Sequence, residues 1–242
     1  MAMPATTNKQ RLLNQLFTTL KKHYSNAAGP AERPVLEQMI YAIVREGASR
    51  DDADLAFERL RTHFFDWNEV RVSASHEVEE ALAGIPQPGA RAQRIIDLLQ
   101  EVFESTYSFD LELLHKKGLK QAAKQIGRYQ AANEYTVAWV TQQTLNGHAI
   151  PIDPPTLRVA RRLGLVDNEG DNADAIRSSL EHQVPKAKGA LFNDYLSLLA
   201  RDYCSEKEPN CPECPMRSEC ATGMNDDRGH GSVRAASRPK PR

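Results

Sequence analysis

Four cysteines, Cys204, Cys211, Cys214 and Cys220, fall within 17 residues of one another, and the 242-residue chain has no others. Their spacing is C-x6-C-x2-C-x5-C. Thiolates are soft donors, so four of them in one short loop suit an iron–sulfur cluster or a zinc ion. Structural zinc usually takes two C-x2-C-like pairs separated by a longer spacer, and only Cys211 and Cys214 form such a pair. Disulfides fit poorly with a chain that shows no secretory signal. The favoured expectation is one [4Fe-4S] cluster held by all four thiolates, with zinc as the alternative. Pro209, Pro212 and Pro215 stiffen the loop, so less chain entropy is lost when a metal centre closes it.

Such a loop needs a scaffold, and the helical period dominates the chain. Leu12, Leu13, Leu16, Phe17 and Leu20 recur at near-helical spacing, with Lys21 and Lys22 at the end the helix dipole favours for cations. Residues 26–34 form a linker rich in Ala, Gly and Pro. Val35, Met39, Ile40, Ile43 and Val44 mark the next apolar face, and Ser49 followed by Asp52 marks a helix start. Further helical stretches are expected around Val78–Ile85, around Ile95–Phe103, and over residues 111–114, 119–129 and 135–145, with Gly147 capping the last. Asp153, Pro154 and Pro155 suit a helix entrance, where a missing N–H costs nothing. Residues 190–203 form the last long helix. No alternation supports a sheet, so the fold class is all-α.

Composition sets wider bounds. Hydrophobic residues make up 40% and charged residues 26% of the chain, ordinary values for a soluble globular protein. No apolar run approaches the roughly 18 residues that span a bilayer. Residues 1–11 contain no apolar signal region, so the expected location is the cytoplasm, without membrane attachment. A net charge of −1 gives no bulk argument for nucleic acid. The tail is different: Arg228, Arg234, Arg238, Lys240 and Arg242 follow Asp227 with no further acid, among Gly and Pro residues. Residues 225–242 are therefore expected to be a disordered basic tail, able to lengthen a DNA contact or simply to lie in solvent.

The cysteine spacing is similar to the cluster loop of the endonuclease III group of helix–hairpin–helix DNA glycosylases, and the resemblance covers most of residues 11–222. The segment Gly89-Ala-Arg-Ala-Gln-Arg-Ile-Ile96 resembles a helix carrying the K-A-x-x-I pattern of that family. Ile152-Asp153-Pro-Pro-Thr-Leu-Arg-Val-Ala-Arg-Arg-Leu163 resembles its V-D-T-H-x-x-R-V-x-N-R stretch. Asp153 then falls on the family's catalytic aspartate and Arg158 on the arginine that follows. The resemblance implies two helical domains around a cleft that binds double-stranded DNA. Residues 30–147 would form a central helical barrel, and residues 1–29 with 148–224 a cluster-bearing domain; the protein is expected to act as a monomer. Lys207 and Arg217, on the cysteine loop, would lie where they can meet DNA phosphates or solvent.

The departures concentrate in the hairpin, which in the family reads L-P-G-V-G-R-K-T-A. Counting back from Asp153 gives Gln130-Ala131-Ala132-Asn133-Glu134-Tyr135-Thr136-Val137. Gln130, Ala131, Ala132 and Asn133 would thus be the DNA-contacting hairpin, with Ala131 and Asn133 in place of its glycines. Tyr135 takes the position of the family's Schiff-base lysine. A second register, Ile126-Gly127-Arg128-Tyr129, keeps one glycine but needs about two more helical turns before Asp153. Tyrosine cannot form an imine, so the amine-dependent lyase step should be absent. The adenine-glycosylase branch of the superfamily can have tyrosine here, so base removal by Asp153 remains compatible with it. Asp153 would stabilise positive charge on the sugar and activate water once the base is extruded, although an aspartate before two prolines also reads as a helix N-cap.

Gly47 aligns with the family's wedge glutamine and has no side chain to insert, and Glu134 places a negative charge beside the hairpin. Trp139 reads chiefly as a core aromatic, and His115 and His148 as ordinary surface or loop residues. Two functions survive: a monofunctional DNA N-glycosylase of base-excision repair, and a catalytically inactive homologue that only binds DNA or another partner.

Overall fold

The computed structural model describes residues 5–24, 32–167 and 172–229. Most of the predicted 26–34 linker and the basic tail beyond residue 229 lie outside them. The described residues form twelve α-helices and three 3₁₀ turns, with no strand among them. Helix α1 is Ala5–His23, α2 Val35–Arg45, α3 Arg50–His63, α4 Trp67–Val72, α5 Ser75–Ala81 and α6 Pro88–Thr106. Then come α7 Leu119–Ile126, α8 Glu134–Gln143, α9 Pro154–Leu163, α10 Ala173–Gln183, α11 Gly189–Asp202 and α12 Ala221–Gly229. Helix α12 continues into the start of the stretch expected to be tail.

Polar caps fix the helix starts. Ser49 Oγ accepts the Asp52 N–H at 3.1 Å, and Asp66 Oδ1 accepts that of Glu69 at 2.8 Å. Asn133 and Asn172 do the same for Thr136 and Ala175, at 2.9 and 2.8 Å. Each such cap satisfies an N–H that the helix itself leaves without a partner. Helices α4 and α10 escape the apolar period because they bury little: Val70 alone in α4, and Ile176 and Leu180 in α10.

The apolar interior falls into two clusters. The first gathers residues from Val35 to Val140, and the second joins Leu13, Leu16, Phe17 and Leu20 of α1 to residues from Ile150 to Met216. Helix α2 is the axis of the first cluster. Every residue of it but Glu37 is buried, because it packs against α3, α6 and α8 at once. Helices α9 and α11 pair in the second cluster.

The chain crosses between clusters after α8, and here the helix ends earlier than the sequence pattern predicts, at Gln143 rather than at residue 145. Asn146, not Gly147, adopts the left-handed conformation, with φ 48°. Gly147 serves close packing instead: its N–H donates to Thr141 O at 2.8 Å, and a Cβ there would lie 2.5 Å from Thr141 Cγ2 and 2.9 Å from Leu119 Cδ1. Gly147→Ala is therefore expected to destabilise the fold by about 1–3 kcal/mol, read as a lower urea midpoint at unchanged m-value. Helix α7 likewise stops at Ile126, and tight turns carry the chain through Tyr129 to the α8 cap.

Candidate active site

Asp153 is the N-cap of α9, followed by the two prolines that can occupy a first turn without loss of a hydrogen bond. Its Oδ1 accepts the Thr156 N–H at 2.8 Å and the Thr156 hydroxyl at 2.7 Å. Its Oδ2 accepts the Gly47 N–H at 2.8 Å, from a loop 106 residues earlier in the chain. The carboxylate therefore caps a helix of the second cluster while joining it to the α2–α3 loop of the first. Gly47 has φ +72°, and a Cβ there would meet only Arg91 Nη2, at 3.8 Å. Backbone conformation, not space, is what favours glycine.

The carboxylate is only 3% exposed, yet it borders a cleft of about 460 Å³ between the two clusters. Gly47, Asp52 and Pro86 line one side of that cleft, and Asp153, Arg158 and Arg201 the other. Arg201 Nη1 reaches Asp51 Oδ2 at 2.8 Å and bridges the two sides.

Tyr135 lies in the first turn of α8, buried, with its ring stacked on Trp139 at a centroid distance of 5.9 Å. Burial pushes its phenol well above the ordinary tyrosine value; Arg45 opposes this shift, while Asp153 and Glu46 add to it. The phenol thus stays neutral. Tyr129, the alternative register's tyrosine, is also buried, and its hydroxyl is 3.5 Å from Ser105 Oγ. Trp139 is a core residue, donating from Nε1 to Gln38 Oε1 at 3.2 Å.

The hairpin segment is tied down by the protein itself. Gln130 N–H donates to Glu101 Oε2 at 2.6 Å, and Ala132 N–H to Tyr129 O at 3.0 Å. Ala131 and Ala132 are buried, whereas Gln130 and Asn133 are exposed. Arg94 Nε donates to Ala131 O at 2.7 Å, and Asn133 Nδ2 to Glu46 Oε1 at 2.9 Å. Glu134 pairs with Arg177 Nη2 of α10 at 2.6 Å, which offsets the negative charge at this position. His115 pairs locally with Glu112, and His148 contacts Glu181 O.

The cysteine loop is fastened to α9 by two arginines. Arg158 Nε donates to Cys204 O at 2.9 Å. Arg162 donates to Ser205 O at 2.5 Å, to Glu206 O at 2.7 Å and to Cys204 Sγ at 3.3 Å. All four thiols are partly buried. Burial pushes Cys214 up to about 11, against a backbone hydrogen bond from Met216 and with smaller contributions from the other three cysteines. Among the described residues no three His, Cys, Asp or Glu side chains form a group that could hold a metal ion. Lys207 is exposed on this loop, and Arg217 donates to Pro212 O at 3.5 Å.

No protein-family model matches the chain. Over 171 residues, 64% of the chain, it is 25% identical to DEMETER-like protein 3 of Arabidopsis thaliana, covering 16% of that protein. Over 114 residues it is 26% identical to an endonuclease III homolog of Encephalitozoon cuniculi, covering 47% of each. A non-covalent endonuclease III–DNA complex superposes with TM-score 0.70 at 18% identity, covering 94% of this chain and all of that one. The chain is thus similar in sequence to endonuclease III-like DNA glycosylases and shares the endonuclease III fold. It spans half or less of the length of these two curated relatives.

Within this endonuclease III-like fold, several site residues carry no sequence signal of their own. Glu46, Arg91 and Arg94 join the α2–α3 loop to α6 and the hairpin, contacts that the K-A-x-x-I-like segment around Arg91 and Arg94 does not announce. Arg45, almost fully buried between Trp139 and Asp194, is a similar case. Burial raises the Asp194 carboxyl, with Arg50 and Arg45 acting against that shift. Charged residues at interior positions of an amphipathic pattern are the one hint the sequence offers.

Proposed function

We propose that this protein is a monofunctional DNA N-glycosylase of base-excision repair, hydrolysing the bond between sugar and base with Asp153 as its essential carboxylate. The observation that carries this is the Asp153 carboxylate itself. It is buried at the wall of the cleft, held by the Thr156 and Gly47 N–H groups. A carboxylate so placed can stabilise positive charge developing at the sugar C1′ and orient the water that replaces the departing base. Tyr135 supplies no amine, so no imine forms. Duplex DNA would lie across the cleft, with the Gln130–Asn133 hairpin, Lys207 and Arg217 along its path. Residues 30–147 form one domain in this scheme, and residues 1–29 with 148–224 the other, in keeping with the two apolar clusters. We take the protein to act as a cytoplasmic monomer.

The four cysteines suit a [4Fe-4S] cluster: the donor set is all thiolate, sits in one loop and is held by two arginines. A single metal ion needs every sulfur within about 2.3 Å of one point, whereas a cluster takes one thiolate at each of four separated irons. When bound, it would pin the loop and the helix that follows.

Excision assayed with purified protein across a panel of damaged and mismatched duplexes tests the proposal; release of at least one base is expected. Borohydride should trap no covalent protein–DNA complex on any of them. Efficient trapping at a lysine would overturn the role given to Tyr135. DNA binding without release of any base would favour the inactive homologue, which the engaged N–H groups of Gln130 and Ala132 also accommodate.

A further inference from the structure

The position of Asp153 depends on a peptide group that something else must orient. Asp153 Oδ2 accepts from the Gly47 N–H, and that N–H shares one planar, trans peptide with the carbonyl of Glu46. The two ends of this peptide point in opposite directions, so whatever grips the carbonyl aims the N–H. Arg91 of α6 grips it. Its Nη2 donates to Glu46 O and its Nη1 to Ile43 O, near the end of α2, where helix carbonyls lack partners. Its Nε donates to Pro86 O at 2.5 Å, on the same side of the cleft as Gly47. Three carbonyls from two separate segments thus converge on one planar guanidinium, whose fixed fork of donors suits such a task.

The surrounding contacts keep the peptide from swivelling. Glu46 Oε2 accepts from Arg94 Nη1 at 2.6 Å, and Glu46 Oε1 from Asn133 Nδ2 at 2.9 Å. Glu46 N–H closes on Ala42 O at 3.0 Å. A cation on the carbonyl also polarises the peptide and strengthens the hydrogen bond its N–H donates.

We propose that Arg91 is a positioning residue for the reaction, acting on Asp153 through the Glu46–Gly47 peptide. This rests on the assignment of Asp153 as the essential carboxylate. Arg91 itself touches neither the sugar nor the base. A residue that only stabilised the fold would be replaceable by any other source of stability, whereas one that aims a hydrogen bond is not.

The test combines kinetics with a measurement that needs no substrate. Arg91→Ala should lower kcat about tenfold or more, with KM within about twofold of the parent. Guanidinium ion at low concentration should restore part of that loss. In protein labelled with ¹⁵N-glycine, the Gly47 amide should shift and exchange with solvent about tenfold or more faster in Arg91→Ala. Should Arg91→Ala fail to fold, Arg91→Lys keeps a cation for one carbonyl only and should show intermediate kcat and exchange. An unshifted Gly47 amide overturns the proposal, as does a kcat loss that guanidinium leaves untouched. If the parent protein excises nothing, the glycosylase assignment falls, and the amide measurement still decides whether Arg91 sets the Gly47 N–H.

Discussion

Asp153→Asn is expected to lower base excision by at least about a hundredfold, the smaller end of what a positioned acid or base contributes. The substitution is informative because the cap and the chemistry respond to it differently. Asparagine keeps an oxygen that can accept the Thr156 N–H, so α9 retains its cap. At the other position an amide N–H₂ replaces Oδ2 and faces the Gly47 N–H, donor against donor. That mismatch costs about 1–3 kcal/mol, and each kcal/mol lowers the melting temperature of a chain this size by about 2–4 °C. Asp153→Ala loses the cap as well and should be less stable than Asp153→Asn by about 0.5–2 kcal/mol. Single-turnover excision and thermal melting on both variants separate the two roles. Turnover unchanged in Asp153→Asn would leave the residue as a cap and nothing more.

Much of this arrangement is legible in the amino-acid sequence, and the parts that are not share a cause. Ser49 and Asp153 announce their helices because a cap acts on an N–H three residues away, a distance that sequence displays directly. The apolar stripes of α1 and α2 are visible for the same reason. Helices α4 and α10 bury too few apolar residues to register, though Asp66 and Asn172 cap them as clearly as the others. Gly47 stands for the harder class. Alignment marks it as a missing wedge side chain, whereas its left-handed backbone serves to aim an N–H at a carboxylate 106 residues away. Glu134 is the mirror case. Read alone, it weakens the hairpin, but Arg177 of α10 meets it at 2.6 Å, 43 residues further on. Pairings over such separations depend on tertiary packing, which one sequence does not encode in any local pattern.

The other large expected effect concerns the cysteine loop. Purified parent protein should contain about four iron and four inorganic sulfide per chain, and Cys214→Ala should contain neither in full. One zinc without sulfide in the parent would overturn the cluster assignment. Cys214 is the most telling position, since burial raises its thiol most clearly and each of the other three cysteines raises it further. Burial disfavours the ionised forms of Cys214 and Cys220, and a cationic metal centre that binds thiolates offsets that cost. Without it, the loop is held by the hydrogen bonds of Arg158 and Arg162 and by packing around the buried Met216. The second apolar cluster is extensive, so Cys214→Ala should still fold, with a loss on the order of several kcal/mol. Limited proteolysis should then cut first within residues 205–220, while α1, α9 and α11 stay protected together. Because Arg158 both borders the cleft and holds Cys204 O, loosening the loop should also lower affinity for duplex DNA. Equal protease resistance and equal DNA affinity in Cys214→Ala would show that α9 holds its arginines in place without help from the loop.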